Sequence, residues 1–481
     1  MKNIFSRRQF LATATSAAVA APLVIPRSVL AQNGQPGAND TVTVGLIGMG
    51  GRCMGMYPHD IKPAAGLKVV GISDFWPVRM RTFMERYPDD LRPDQAYADF
   101  RDMIEKEKPD GIFAMTATHQ RAWVSAIAMQ MGCHLFIEKA MCLTVEEGRY
   151  LVNCARKYNR VTQVGSQQRS LPLCIWACEQ VQNGALGNVI DVVAPNFVGP
   201  NLWAVQPVKR AYPEGMTDEI WDMWTNQVVF RPYHNDLHRG WANWWDYEGG
   251  GRTFGVSGWG THSYDQVNMA IGTSETGPIK IRLDEPVDPD AASGRFDNQM
   301  PADEDDTGVQ YHGMARATRG PRAKMTMWFE NGIELRLHLD GDRGPGLGCI
   351  VTGDQGRLEI NRHRIASNPR EIVANAPEEI QAVLRSGRSL RSETIYHVEN
   401  WIDCIKTGGK CTADIEYGQR ATTMCELVNI VRATAEPGAE IGWDPENERF
   451  TNNGAGNAML SRPRRRGYEL PELAYTSPSS R

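Results

Sequence analysis

The residue best placed to do chemistry is a lysine. Lys139 closes the apolar stretch 134–138 (HLFIE), which is short enough for a buried strand. An amine at a strand end, tuned down by burial or a nearby cation, can take the proton from an alcohol. Glu138 opposes that tuning if it faces the amine, and the sequence leaves its direction open. A solvated lysine after a strand is the plain alternative. His262 and Asp265 stand three residues apart, so a helix puts both on one face. There the carboxylate could orient the imidazole or bind a hydroxyl, and the imidazole could relay a proton. A purely structural His–Asp pair is the alternative.

A second constellation reads as a nucleotide cradle. The apolar stretch 41–47 (TVTVGLI) runs into Gly48, Gly50, Gly51 and Arg52. Glycines after a strand let the chain turn tightly and let a pyrophosphate approach a helix N-terminus. Cys53 takes the place of the third glycine of G-x-G-x-x-G, and Pro58 limits the helix that follows. A second stretch, 67–73 (LKVVGIS), ends at Asp74. An acid there accepts ribose hydroxyls and repels a 2′-phosphate, which favours NAD over NADP; Arg79 tempers that preference. Capping of the next helix is the other use for Asp74. Stretch 111–115 (GIFAM) leads to Thr116 and His119, which complete the expected cofactor contacts together with Glu138 and Lys139.

The elements that must hold these groups alternate strand and helix. An alanine-rich helical stretch, 119–131, ends at Gly132. A capping box at Thr144–Glu147 opens a helix to about Tyr158, and 161–165 (VTQVG) is a further strand. This rhythm predicts a doubly wound parallel sheet, with ligands at the carboxyl ends of its strands. Gly48, Asp74, Thr116 and Lys139 all fall at such ends.

The chain of 481 residues is 41% hydrophobic and 23% charged, with a net charge of -5. That excludes disordered, collagen-like and small disulfide-stapled classes, and gives no cause to expect nucleic acid as a partner. Residues 1–31 carry Lys2, Arg7 and Arg8, then an alanine-rich apolar stretch and small residues before Gln32, the pattern of a cleaved signal peptide. The Arg7–Arg8 pair resembles the twin-arginine export signal. Its translocase would then be a partner, and the periplasm or the exterior the destination. That route exports folded proteins, so a nucleotide could leave the cytoplasm already bound. Residues 32–40 read as a linker, and no later apolar run reaches the ~20 residues that span a bilayer. None of the 10 cysteines forms a C-x-x-C pair, which argues against a zinc ribbon.

GLIGMGGR (45–52), the Thr116–His119 turn and above all FIEKA (136–140) resemble the Gfo/Idh/MocA oxidoreductases, which usually carry Glu-Lys-Pro where this chain has Ala140. VGSQQRS (164–170), GWGTHSYDQV (258–267), HVENWIDCIKTG (397–408) and WDPENERF (443–450) resemble the family's exported branch. The resemblance implies an α/β protein of two domains. An N-terminal Rossmann domain, a doubly wound parallel sheet, takes 41–165. A C-terminal α+β domain with a large open, mainly antiparallel sheet takes 166–450, its helices in 397–432 packing back on the first domain. A C-terminal arm takes 451–481. Strand-rich stretches at 190–199, 322–340 and 348–365 agree, with turns at Asn331-Gly332 and Gly353–Gly356.

The resemblance also implies tightly held NAD, action on a sugar, polyol or glycoside, acid–base help from Lys139 and His262 with Asp265 as orienter, and a homo-oligomer, dimer or tetramer, formed through the open sheet. Many relatives have an aspartate four residues before the histidine. Gly258 stands there, so a lysine–aspartate–histidine triad does not carry over whole. Trp203, Trp221, Trp224, Trp241, Trp244, Trp245 and Trp259 crowd one stretch. Aromatic faces suit a pyranose, while ordinary packing accounts for many of them. Trp221, Arg169, His234 and Tyr264 are the candidate substrate contacts. His234 and His238 have helical metal spacing in loop-like sequence, so no metal site is expected. Three functions stand: an NAD-dependent oxidoreductase, a redox-assisted glycoside hydrolase that retains its NAD, and a non-catalytic carbohydrate-binding protein.

Overall fold

The β-branched runs of the first half pair side by side because both faces of each are apolar, which suits a sheet covered on both sides. The computed structural model describes residues 41–203, 211–248, 256–293, 318–340, 347–362, 364–386 and 392–473. The expected signal peptide, 1–31, and linker, 32–40, lie outside the described residues. Strands β1 (Val42–Ile47), β2 (Leu67–Ser73), β3 (Ala96–Tyr97), β4 (Gly111–Ala114), β5 (His134–Ile137) and β6 (Thr162–Val164) form one parallel sheet in the order β3-β2-β1-β4-β5-β6. The order reverses between β1 and β4, and a crevice at that switch point is where such sheets bind ligands. The helix after β1 runs only over Gly51–Met56 and passes into a wider turn at Tyr57–Ile61 that contains Pro58. Helix Val145–Lys157 starts at Thr144, whose hydroxyl accepts the Glu147 amide, while the Glu147 carboxylate takes the Leu143 amide.

The second sheet has nine strands: β7 (Val189–Asn196), β8 (Pro278–Leu283), β11 (Met325–Phe329), β12 (Glu334–Asp340), β13 (Cys349–Gly353), β14 (Arg357–Asn361), β15 (Arg364–Asn368), β16 (Glu440–Asp444) and β17 (Arg449–Phe450). Their order is β15-β14-β13-β7-β12-β11-β8-β16-β17. The β7–β12 pair is parallel, and the other described pairs of this sheet are antiparallel. Strands β9 (Asp288–Ser293) and β10 (Thr318–Arg322) form a separate pair. One face buries Val192, Ala194, Met325, Met327, Leu335, Leu337 and their neighbours under helices Pro172–Gln182, Thr261–Ala270 and Ile415–Thr434. The other face is charged, with Arg336 paired to Asp191 at 2.6 Å and Lys280 4.3 Å above the Trp328 ring.

Among the described residues, three devices join the domains. Helix Glu393–Thr407 returns to the first sheet, where buried Trp401 packs 5.0 Å from Phe113 and 5.8 Å from Phe136. Residues 211–248 form an insertion with its own aromatic core of Trp221, Trp224, Tyr233 and Tyr247, closed by Phe75 and Trp76 from the loop after β2. The C-terminal arm lies on this same chain. Arg465 donates to the Asn226 carbonyl at 2.9 Å, Arg464 pairs with Glu147 at 2.6 Å, and Tyr468 packs 5.4 Å from Trp123. The arm thus ties the insertion to the first domain.

Candidate active site

The site begins at the glycine turn. Gly48 has φ +93°, and a Cβ there would lie 2.9 Å from the backbone of Met115 and Thr116. Only glycine lets β1 leave the sheet that close to the end of β4. Gly50 precedes helix Gly51–Met56 with open space around it and no side chain capping the helix. The Thr116 hydroxyl is buried with no hydrogen-bond partner among the described residues. Open amides and an orphaned hydroxyl at the switch point fit a dinucleotide. Asp74 lies beside them. One carboxylate oxygen accepts the Met49 amide at 2.9 Å and the other the Trp76 amide at 2.9 Å. A carboxylate has about four acceptor positions, so ribose hydroxyls still find room. Arg79 stacks 5.2 Å above Trp76 and its charge acts on Asp74.

Lys139 is half-buried at the end of β5. Burial pushes its amine below the ordinary lysine value; Glu138 and Glu248 act upward, Arg121 and Arg52 downward. Glu138 turns toward Arg52, whose Nε lies 2.7 Å from its carboxylate. Room for that carboxylate comes from Gly165, where a Cβ would lie 3.1 Å from it. His262, on helix Thr261–Ala270, is buried, and the charges of Arg362, Lys139 and Arg52 act on it. Burial and these cations hold its imidazole well below the usual histidine value. An Arg362 nitrogen lies 3.4 Å and 3.5 Å from the two ring nitrogens, so it aims at neither lone pair. The fold therefore gathers Gly48, Gly50, Gly51, Arg52, Thr116, Glu138, Lys139 and His262 at one edge.

Other candidates go elsewhere, each for a physical reason. Asp265 shares the helix with His262 but is buried against Arg169, with Nε–O distances of 2.7 and 2.9 Å, so it does not orient the imidazole. Arg169 in turn stacks 4.7 Å from Tyr417 and donates to Ser274, a clasp rather than a hydroxyl reader. Trp221 is fully buried, stacked 4.6 Å on Trp224, with its indole donating to the Arg231 carbonyl. Tyr264 is buried against Phe197, 6.2 Å between rings. His234 caps the turn Asn235–His238 by accepting the Asp236 amide. His119 donates to the Trp224 carbonyl at 2.7 Å, and burial pushes it down to about 3; it binds the insertion rather than a cofactor.

Residues unmarked in the sequence complete the site. Arg121 reaches from helix Thr118–Gln130 to the carbonyls of Thr116 at 2.9 Å and Ala140 at 2.5 Å, bracing the ends of β4 and β5. His397 donates to the Val164 carbonyl at 2.7 Å and accepts the Ser170 hydroxyl, and burial pushes it down to about 4. Glu248 and Arg362 arrive from the second domain. No local pattern marks them, because each meets the site through contacts 100 or more residues away.

A lysine and a histidine near the rim of a parallel sheet, beside a glycine turn made for a dinucleotide, give the site of a two-domain α/β protein with an NAD-binding Rossmann fold. Residues 42–166 match the family model described as an oxidoreductase family, NAD-binding Rossmann fold, and 178–334 match the model of its C-terminal alpha/beta domain. The chain belongs to the Gfo/Idh/MocA oxidoreductase family. A curated relative, the uncharacterized oxidoreductase YrbE of Bacillus subtilis, is 25% identical over 163 residues, 34% of this chain and 46% of the relative. The match thus spans less than half of that relative's length. Among solved structures, the aldose–aldose oxidoreductase of Caulobacter crescentus, complexed with glycerol, has a TM-score of 0.52 at 15% identity, covering 84% of this chain and 99% of that one. The WlbA dehydrogenase of Bordetella pertussis, in complex with NADH and UDP-GlcNAcA, has a TM-score of 0.50 at 14% identity, covering 84% and 98%. Levoglucosan dehydrogenase has a TM-score of 0.51 at 16% identity, covering 82% and 97%. At these identities the structures share the fold.

Proposed function

We propose that this chain is exported through the twin-arginine route, holds NAD tightly, and oxidises a secondary alcohol of a sugar, polyol or glycoside. The observation that carries this reading is the Arg52–Glu138 pair at 2.7 Å, which sets the strand end bearing Lys139 against the glycine turn, with the charge of Lys139 acting on buried His262. Bound NAD supplies the hydride acceptor. Gly50, Gly51 and Arg52 hold the dinucleotide with their amides, Asp74 takes the ribose, and Thr116 offers its orphaned hydroxyl. Lys139, whose amine burial pushes below the ordinary lysine value, takes the hydroxyl proton in its neutral form. His262, neutral in the same surroundings, donates its ring N–H to the substrate oxygen and leaves the hydroxyl proton aimed at the amine.

The substrate class draws support from the sugar names of the structural neighbours. Tight retention draws support from the insertion, which closes over the ends of β2 and β4. There the Trp76 indole donates to the Glu214 carbonyl at 2.9 Å, and Gln120 to the Trp224 carbonyl at 2.7 Å. The charged open face of the nine-stranded sheet is the surface through which a homo-oligomer would form. Retention also favours a second reading, a redox-assisted glycosidase that oxidises a ring carbon, eliminates the aglycone, adds water to the unsaturated ketone and returns the hydride, needing no outside acceptor. The deciding experiment incubates purified protein, without added nucleotide, with a panel of sugars and glycosides. A stable keto-sugar and reduced cofactor support the dehydrogenase. Catalytic release of aglycone supports the glycosidase. Absence of nucleotide from the denatured protein, together with failure to bind added NAD, contradicts both.

A further inference from the structure

Glu248 ends the aromatic insertion and enters none of the steps above. Its side chain is buried. One carboxylate oxygen accepts the Thr118 hydroxyl at 2.6 Å, and the other accepts the Ser257 hydroxyl. From Thr118 the contacts continue to Lys139's own turn. The Thr118 oxygen accepts Arg121 Nη1 at 3.1 Å, and the same nitrogen donates to the Ala140 carbonyl at 2.5 Å. A line of three hydrogen bonds thus runs from a second-domain carboxylate to the residue after Lys139. Ser257 lies in the turn Val256–Gly260 that leads into the His262 helix, so the same carboxylate also holds that helix's entrance.

The charged and titratable groups facing the Lys139 amine come from every side. They are Glu138 beside it, Arg52 after β1, Arg121 from helix Thr118–Gln130, Glu248 from the insertion, His262, and Cys425 from helix Ile415–Thr434. Glu138 is occupied by Arg52 at 2.7 Å. Glu248 is held by two hydroxyls, which fix its place. We propose that Glu248 is a positioning residue of Lys139, the carboxylate that braces the amine's turn from across the domain seam and adds its charge to that of Glu138. The proposal rests on Lys139 being the base of the reaction proposed above, and its first test needs no turnover.

Brief acetic anhydride labelling of the full-length, NAD-loaded protein over a pH series, with mass spectrometry of the Lys139 peptide, reads the midpoint at which the amine loses its proton. Glu248→Gln keeps the shape and one of the two accepted hydroxyls and removes the charge. The midpoint is expected to fall by about one pH unit or more, because an opposite charge has been taken from an ammonium. Glu248→Asp should restore it most of the way. If the glutamine variant does not fold, Glu248→Thr reads the same shift. An unmoved midpoint in a folded uncharged variant, whatever happens to its melting temperature, overturns the proposal and leaves Glu248 a clasp. On a confirmed substrate, the acid limb of kcat should move with the midpoint while KM holds. A shifted midpoint with an unmoved limb upholds the pairing of Glu248 with Lys139 and contradicts Lys139 as the base.

Discussion

Burial acts on Lys139 and His262 in the same direction, and this decides which of them is the base. A lysine lowered from 10.5 moves toward working pH, whereas a histidine lowered from 6.5 moves away from it. The active form of Lys139 is the neutral amine, so kcat should rise with pH through a limb below the ordinary lysine value; a pH profile on a confirmed substrate checks this. His262→Asn should lower kcat by about 10²-fold without moving that limb, since the imidazole does not titrate there. A neighbouring acid offers a separate test. Glu426 is buried with one carboxylate oxygen lacking a partner among the described residues, and burial pushes it up to about 8. In the unfolded chain it ionises near 4.5, so between the two values unfolding releases a proton and stability falls as pH rises. Glu426→Gln removes that dependence. Its melting temperature should gain on the wild type steadily from about pH 5 to pH 8, and below that range the two should run in parallel.

At the scale of elements, the aromatic insertion is the unit that separates this chain's active edge from an open crevice. Trp224 stacks on Trp221, and its carbonyl receives both His119 and Gln120. Trp224→Ala should cost about 3–5 kcal/mol of stability, measured by denaturant unfolding. It should also increase the nucleotide lost on gel filtration, because the strap over β4 loosens. Arg465→Ala, which frees the arm from Asn226, should raise nucleotide loss without altering the aromatic core. Four strands of the first sheet were legible from short apolar runs closed by Gly48, Asp74, Thr116 and Lys139, and β6 from the run 161–165; β3, two residues long, has no run to show it. The insertion was not legible. Its prolines and scattered tryptophans have no period, and its order comes from a core shared with Phe75 and Trp76 of the other domain.

For the whole molecule, local pattern places some groups at the site and the joining of the two sheets places the rest. The glycine turn, Lys139 and His262 stand in local patterns whose geometry a strand end or helix dictates. The roles of Asp265, Trp221 and Tyr264 depended on what lay across the fold. The i, i+3 spacing of His262 and Asp265 correctly put both on one helix, yet Arg169 claims Asp265 and Arg362 covers His262. Such partners are set by how the two sheets are joined, which no window of sequence contains. The account turns on Lys139. The most direct measurement compares wild type and Lys139→Met, both loaded with NAD, in single-turnover reduction of the cofactor by the first substrate found in the sugar and glycoside panel. The expected result is a rate lowered by about 10²–10⁴-fold with nucleotide content unchanged. An undiminished rate in the methionine variant contradicts the account.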